Sequence, residues 1–114
     1  MIILIYAKRI YLNPPSEKPL ISLENRDQAG VYALICKVTQ KFYIGGSVYL
    51  GCRLLDYMQP AYLARRENSP VTRAILKYGL QNFCFIVLET CELEHTLVRE
   101  QYWIDLLKPD PVAA

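Results

Sequence analysis

Five side chains in this sequence carry chemistry that a packed core does not require: Tyr32, Tyr43, Arg53, Tyr57 and Glu100. A phenol can pass a proton, a guanidinium can hold an anion in a planar fork, and a carboxylate can hold a hard cation. Brought together, they would form an anion site in which Arg53 holds a phosphate or a developing negative charge while a phenol moves a proton. Whether they meet depends on the elements that carry them.

Tyr32 and Tyr43 are eleven residues apart, in short apolar runs joined by an even-length turn. Opposed residues in such a hairpin differ by an odd number and share a face, so the two phenols are expected on one side of the sheet. Ordinary amphipathic sheet tyrosines would satisfy the same pattern. Tyr49, Arg53 and Tyr57 follow at steps of four, beside an apolar stripe of Val48, Cys52, Leu55 and Met58. Stacking on a surface helix would also explain them. Glu100 stands at the centre of Leu93, Leu97, Ile104 and Leu107, the inward stripe expected of the last helix. A buried unpaired carboxylate costs several kcal/mol. Glu100 is therefore an ion-pair partner, a group at the edge of the stripe reaching water, or a ligand for a cation such as Mg²⁺.

The elements follow from the same pass. Val31 to Cys36 and Lys41 to Gly46 read as paired strands around a turn at Lys37–Gln40. Gly45-Gly46 lets the backbone bend closely, Ser47 suits an N-cap, a helix covers about Val48 to Met58, and Pro60 ends it. Ser69 and Pro70 open a second helix, Val71 to Tyr78, with Gly79 as its C-terminal cap. Phe83 to Glu89 is a third strand. The last helix starts near Glu92 or Glu94 and runs to Leu107, with Pro109 and Pro111 beyond it. Residues 2–12 are a short strand or an apolar tail packed on the domain, Asn13 to Pro19 a proline-rich loop, and Ile21 to Gln28 irregular. The expected division is an N-terminal leader or extension at 1–29, a domain at 30–109 and a tail at 110–114. The expected fold is α+β, a small three-stranded antiparallel sheet flanked by helices in the order β-β-α-α-β-α.

Composition sets the frame. At 114 residues, 53% of them hydrophobic, the chain makes one packed domain with no need of a disulfide or metal staple. Its net charge of +2 is mild, but the cations are grouped. Arg65, Arg66, Arg73 and Lys77, with Lys41 on the hairpin, form a candidate phosphate-contacting face, and Glu67 is the one acid between Ala61 and Lys77. Cys36, Cys52, Cys84 and Cys91 lack the paired short spacings of a zinc site and are expected as free thiols. His95 is the sole histidine, which excludes metal sites built on paired histidines. The start is apolar before it is basic, the reverse of a secretory signal, and no run approaches a membrane span. A soluble chain with no membrane partner is expected.

Gly30-Val31-Tyr32, Tyr43-Ile44-Gly45, Gly46-Ser47-Val48 followed by Arg53 and Tyr57, T-R-A-I-L-K-Y-G-L-Q-N-F (Thr72 to Phe83) and R-E-Q-Y-W-I-D-L-L-K-P (Arg99 to Pro109) together resemble the GIY-YIG endonuclease family. The last two segments look like those of homing endonucleases encoded by mobile introns, particularly in fungal mitochondria. The resemblance implies divalent-metal-dependent hydrolysis of DNA phosphodiesters. It implies one Mg²⁺ (or Mn²⁺) held by Glu100, Tyr32 as general base, Arg53 steadying the phosphate, Tyr57 as a second base candidate, and Tyr43 orienting water or phosphate. It also implies a mitochondrial, organelle-encoded or otherwise intracellular protein whose site choice lies in a DNA-recognition segment or a partner chain. The stretch after Pro109 has no asparagine, where the family often carries one. The alternative drawn from that departure is a catalytically impaired nucleic-acid-binding or accessory module.

Overall fold

The computed structural model describes residues 2–109, so the expected tail at 110–114 lies outside the described residues. Four strands form one antiparallel sheet: β1 (Arg9–Tyr11), β2 (Ala29–Cys36), β3 (Phe42–Ser47) and β4 (Phe83–Cys91), in the order β1-β4-β2-β3. The sheet therefore has four strands and not the expected three. The added strand is only three residues long and carries Arg9, too short to show alternation, and its pairing with β4 makes it a strand. Around the sheet lie α1 (Lys18–Glu24), α2 (Leu50–Asp56), α3 (Pro60–Arg65), α4 (Pro70–Tyr78) and α5 (Thr96–Leu107). None of them is long and apolar enough to cross a membrane.

Residues 3–29 pack into this body. Ile3, Tyr11 and Ile21 are fully buried. Tyr11 donates from its hydroxyl to Glu24, Arg9 pairs with Glu24 at 2.8 Å, and Asn25 donates to the Tyr11 oxygen. These tertiary bonds hold α1 where a polar, proline-containing stretch shows no stripe. Pro60 likewise opens a helix: it stands in the first turn of α3, where a missing N–H costs nothing.

The sheet separates two apolar layers. Tyr32, Leu34, Tyr43, Phe85 and Val87 face α2, α3 and α4, while Val31, Ala33, Ile35, Ile44, Ile86 and Leu88 face Trp103 of α5. A β-bulge falls where Val31 pairs with Glu89 but Tyr32 pairs with Val87, leaving Leu88 as the extra residue. Strict alternation would aim Glu89 at the Tyr32 side. The bulge turns it to the α5 side, where it accepts from Arg99 Nε at 2.8 Å and from Trp103 Nε1 at 2.8 Å. Burial pushes the Glu89 carboxyl up, and the bonds from Arg99 and Trp103 outweigh this and hold it below the usual carboxylate range. Glu89 thus grips α5 on either side of Glu100.

Candidate active site

Tyr32 lies opposite Gly45 and Leu34 opposite Tyr43, so both tyrosines share the face that parity assigns them. Past Tyr43 their surroundings differ. Tyr32, Arg53, Tyr57 and Glu100 line one cavity of about 270 Å³, together with Gly45, Gly46, Tyr62, Arg66, Ser69 and Thr72. Tyr43 does not line it; it is buried in the core near Cys36 and Tyr78.

The four convergent groups come from three elements, and each is aimed by local structure. On α2 the buried residues are Leu50, Gly51 and Leu54, with Tyr57 at its C-cap also buried. Val48 and Cys52 are exposed, while Leu55 packs against the core and Met58 is buried in it, so the expected stripe of Val48, Cys52, Leu55 and Met58 holds only in its second half, and Leu50 and Leu54 fill the rest of the inward side. Arg53 is half-buried beside the core. Ser47 is the last residue of β3 rather than the N-cap; Tyr49 holds that position, and its N–H donates to Ser47 Oγ at 2.9 Å.

On α5 the correction is of the same kind. Leu93 and Leu97 are exposed, Leu97 at 80%, and the inward side is Thr96, Glu100, Trp103, Ile104 and Leu107. Glu100, Ile104 and Leu107 of the expected stripe thus lie on the inward side, and Glu100 is only half-buried there because it reaches the cavity. The helix begins only at Thr96, after a 3₁₀ turn that holds Leu93, and Leu97, its second residue, lies on the outward side.

Glu100 reaches the cavity from the opposite layer of the sheet. Gly45-Gly46 on the edge strand β3 is the opening that permits this. A Cβ on Gly46 would stand 2.8 Å from Glu100 Oε1, and one on Gly45 would stand 2.5 Å from the Tyr32 hydroxyl. The glycines serve close approach of side chains on two faces. Gly45→Ala is expected to displace the Tyr32 ring and destabilise the fold by about 1–3 kcal/mol, the usual scale for overpacking. An unchanged urea midpoint would contradict that packing.

The electrostatics are distinctive. The Tyr32 and Tyr57 hydroxyls are 2.6 Å apart. Burial pushes the Tyr32 phenol up, opposed by the hydrogen bond from Tyr57 and the charge of Arg53. Burial pushes the Tyr57 phenol up as well, and its Tyr32 neighbour adds to the shift. Either hydroxyl can be the donor of the bond between them. Burial also raises Glu100 above the usual carboxylate range, countered by Arg53 and by the Gly46 backbone N–H. Glu100 makes no salt bridge among the described residues, which removes the ion-pair reading.

Of the grouped cations only Arg66 lines the cavity, its guanidinium 4.8 Å over the Tyr62 ring. Lys41, Arg65, Arg73 and Lys77 are exposed on the surface, and Lys77 lies over Tyr78. Sequence reasoning missed Tyr62, Thr72 and the anchoring role of Glu89. A lone acid closing an apolar strand was the available signal for Glu89. Cys36 and Cys84 are buried, Cys91 half-buried and Cys52 exposed, all as free thiols.

Comparison with known proteins finds a family and relatives for this chain. The family model described as the GIY-YIG catalytic domain matches residues 28–112. A probable intron-encoded endonuclease bI1 of Neurospora crassa is 35% identical over 78 residues, 68% of this chain and 17% of that protein. A probable intron-encoded endonuclease 1 of the same organism is 27% identical over 81 residues, 71% of this chain and 25% of that protein. The chain thus spans a quarter or less of the curated relatives it matches. No solved structure matches.

Proposed function

Because the chain belongs to the GIY-YIG family, we propose that it is a divalent-metal-dependent endonuclease domain that hydrolyses DNA phosphodiesters. The observation that carries this reading is the convergence of Tyr32, Arg53, Tyr57 and Glu100 on one cavity, with Glu100 free of any salt bridge among the described residues. A packed core gives no reason for an unpaired, half-buried carboxylate facing a cavity. A binding module without catalysis gives none either, and that reading is the weaker one.

The chemistry divides among the residues. With Tyr57 as the donor of their shared hydrogen bond, the Tyr32 oxygen, once ionised by losing its own proton to solvent, takes a proton from the attacking water. Arg53 stands by both phenols and by Glu100, where it opposes negative charge developing at the phosphate. Tyr43, off the cavity, supports the hairpin and is a positioning residue. The donor set suits a hydrated hard cation: one carboxylate, and no cluster of three or more His, Cys, Asp or Glu ligands among the described residues. Glu100 would hold Mg²⁺ or Mn²⁺, which supplies charge neutralisation at the phosphate.

Lys41, Arg65, Arg66, Arg73 and Lys77 would contact backbone phosphates, and a further segment or partner chain would choose the target. An organelle location is part of the same proposal and rests on the intron-encoded relatives. The test is conversion of supercoiled plasmid to open circle with Mg²⁺ or Mn²⁺ and not with chelator. No nicking under either metal would contradict the reading. Because burial raises Tyr32, the rate is expected to climb from neutral into alkaline pH, as the base form becomes populated.

A further inference from the structure

We propose that the N-terminal end of α4, with Thr72 and Arg66, is a second phosphate subsite, for a backbone phosphate other than the one cleaved. The proposal rests on the nuclease reading for the identity of its ligand, but its geometry stands apart from that reading.

Three observations carry it. First, Thr72 is fully buried, lines the cavity, and its Oγ1 has no hydrogen-bond partner among the described residues. An orphan hydroxyl at such a place is costly unless a ligand satisfies it. Second, α4 is nine residues long and starts uncapped: Ser69 makes no side-chain cap bond and Pro70 has no N–H to offer. The N–H groups of Val71 and Thr72 therefore lie at the positive end of the helix with no capping oxygen. Third, Arg66 is bound into the same turn. Its carbonyl accepts from the Ser69 N–H at 2.9 Å, and its guanidinium rests over Tyr62 at the cavity wall with no salt bridge among the described residues.

These donors all want an anion with several acceptor oxygens. Phosphate fits, and a carboxylate would leave more of them unmet. Arg53 and Glu100, on other elements of the same cavity, already serve the scissile group. A strand held at Arg66, Ser69 and Thr72 would be fixed in register for attack. Inorganic phosphate and a DNA phosphodiester share this chemistry, so the test separates them.

The first arm compares thermal unfolding in phosphate and in chloride at matched ionic strength, for the wild type, Thr72→Val and Arg66→Gln. Valine keeps the shape and burial of Thr72, and unfolding in chloride reports whether each variant is folded. A phosphate-specific rise in Tm is expected for the wild type, and a smaller one for both variants. No rise in the wild type, or an equal rise in all three, would overturn the subsite. The second arm measures duplex binding against salt concentration on a Glu100→Gln background, where cleavage does not interfere. Arg66→Gln is expected to lower the salt slope by about 0.9, the value of one phosphate contact, and Thr72→Val to weaken binding about tenfold with the slope kept. A phosphate response in the first arm with unchanged DNA binding in the second would overturn the DNA assignment. Absence of nicking by the wild type, with both arms positive, would sink the nuclease reading alone.

Discussion

Replacing Glu100 by glutamine is expected to reduce nicking about a thousandfold while the chain stays folded. It is the one acidic side chain lining the cavity. Its loss leaves no anionic ligand for a divalent cation, and a thousandfold corresponds to about 4 kcal/mol of transition-state stabilisation. Stability should move the other way. Burial raises the Glu100 carboxyl above its usual range, so its charged form is disfavoured in the fold. A raised group stabilises the fold below its unfolded pKa and loses that contribution as pH rises through the folded value. At neutral pH the charge is therefore a burden, and Glu100→Gln should be as stable as the wild type or more so. The difference should shrink as pH falls below the ordinary carboxylate range. Thermal unfolding at neutral and acidic pH checks this. A variant that unfolds more readily at neutral pH would contradict that sign and mean that the Glu100 carboxylate helps to hold the fold.

Arg53→Ala carries the second large effect, a loss of about a hundredfold to a thousandfold in rate, the range for removing one preorganised donor at a developing charge. Arg53 also opposes the burial-driven rise of the Tyr32 phenol. Without it the alkaline climb of the rate should move to higher pH. Arg53→Lys should recover part of the rate through its charge, but not the planar fork that grips two oxygens. An unshifted pH profile in Arg53→Ala would separate Arg53 from Tyr32 and contradict the arrangement.

Much of this was legible in the sequence, and the failures share a cause. Parity placed Tyr32 and Tyr43 on one face because strand period is two and tolerates no partial slip. Pattern could not say that Tyr43 would sit off the cavity, because that depends on which helices cover which end of the sheet. The stripes of α2 and α5 hold in their C-terminal halves and fail in their N-terminal ones, because each helix offers two apolar rows. Packing volume chooses between them, as Leu54 and Trp103 go inward while Cys52 and Leu97 stay out. The fourth strand, the helix α1 and the bulge that turns Glu89 toward Arg99 and Trp103 are tertiary products with no local signature. Thr72 was invisible for a different reason: a threonine in a helix is common, and only its missing partner marks it.

The most direct test is single-turnover nicking of supercoiled plasmid by the wild type beside Glu100→Gln, with saturating Mg²⁺ or Mn²⁺ and with chelator, both proteins shown folded by near-ultraviolet circular dichroism. The expected result is open-circle product from the wild type with metal, none with chelator, and a rate lower by about a thousandfold in the variant. Equal metal-dependent nicking by the two proteins would contradict the central claim that Glu100, reaching through Gly45-Gly46, completes the site.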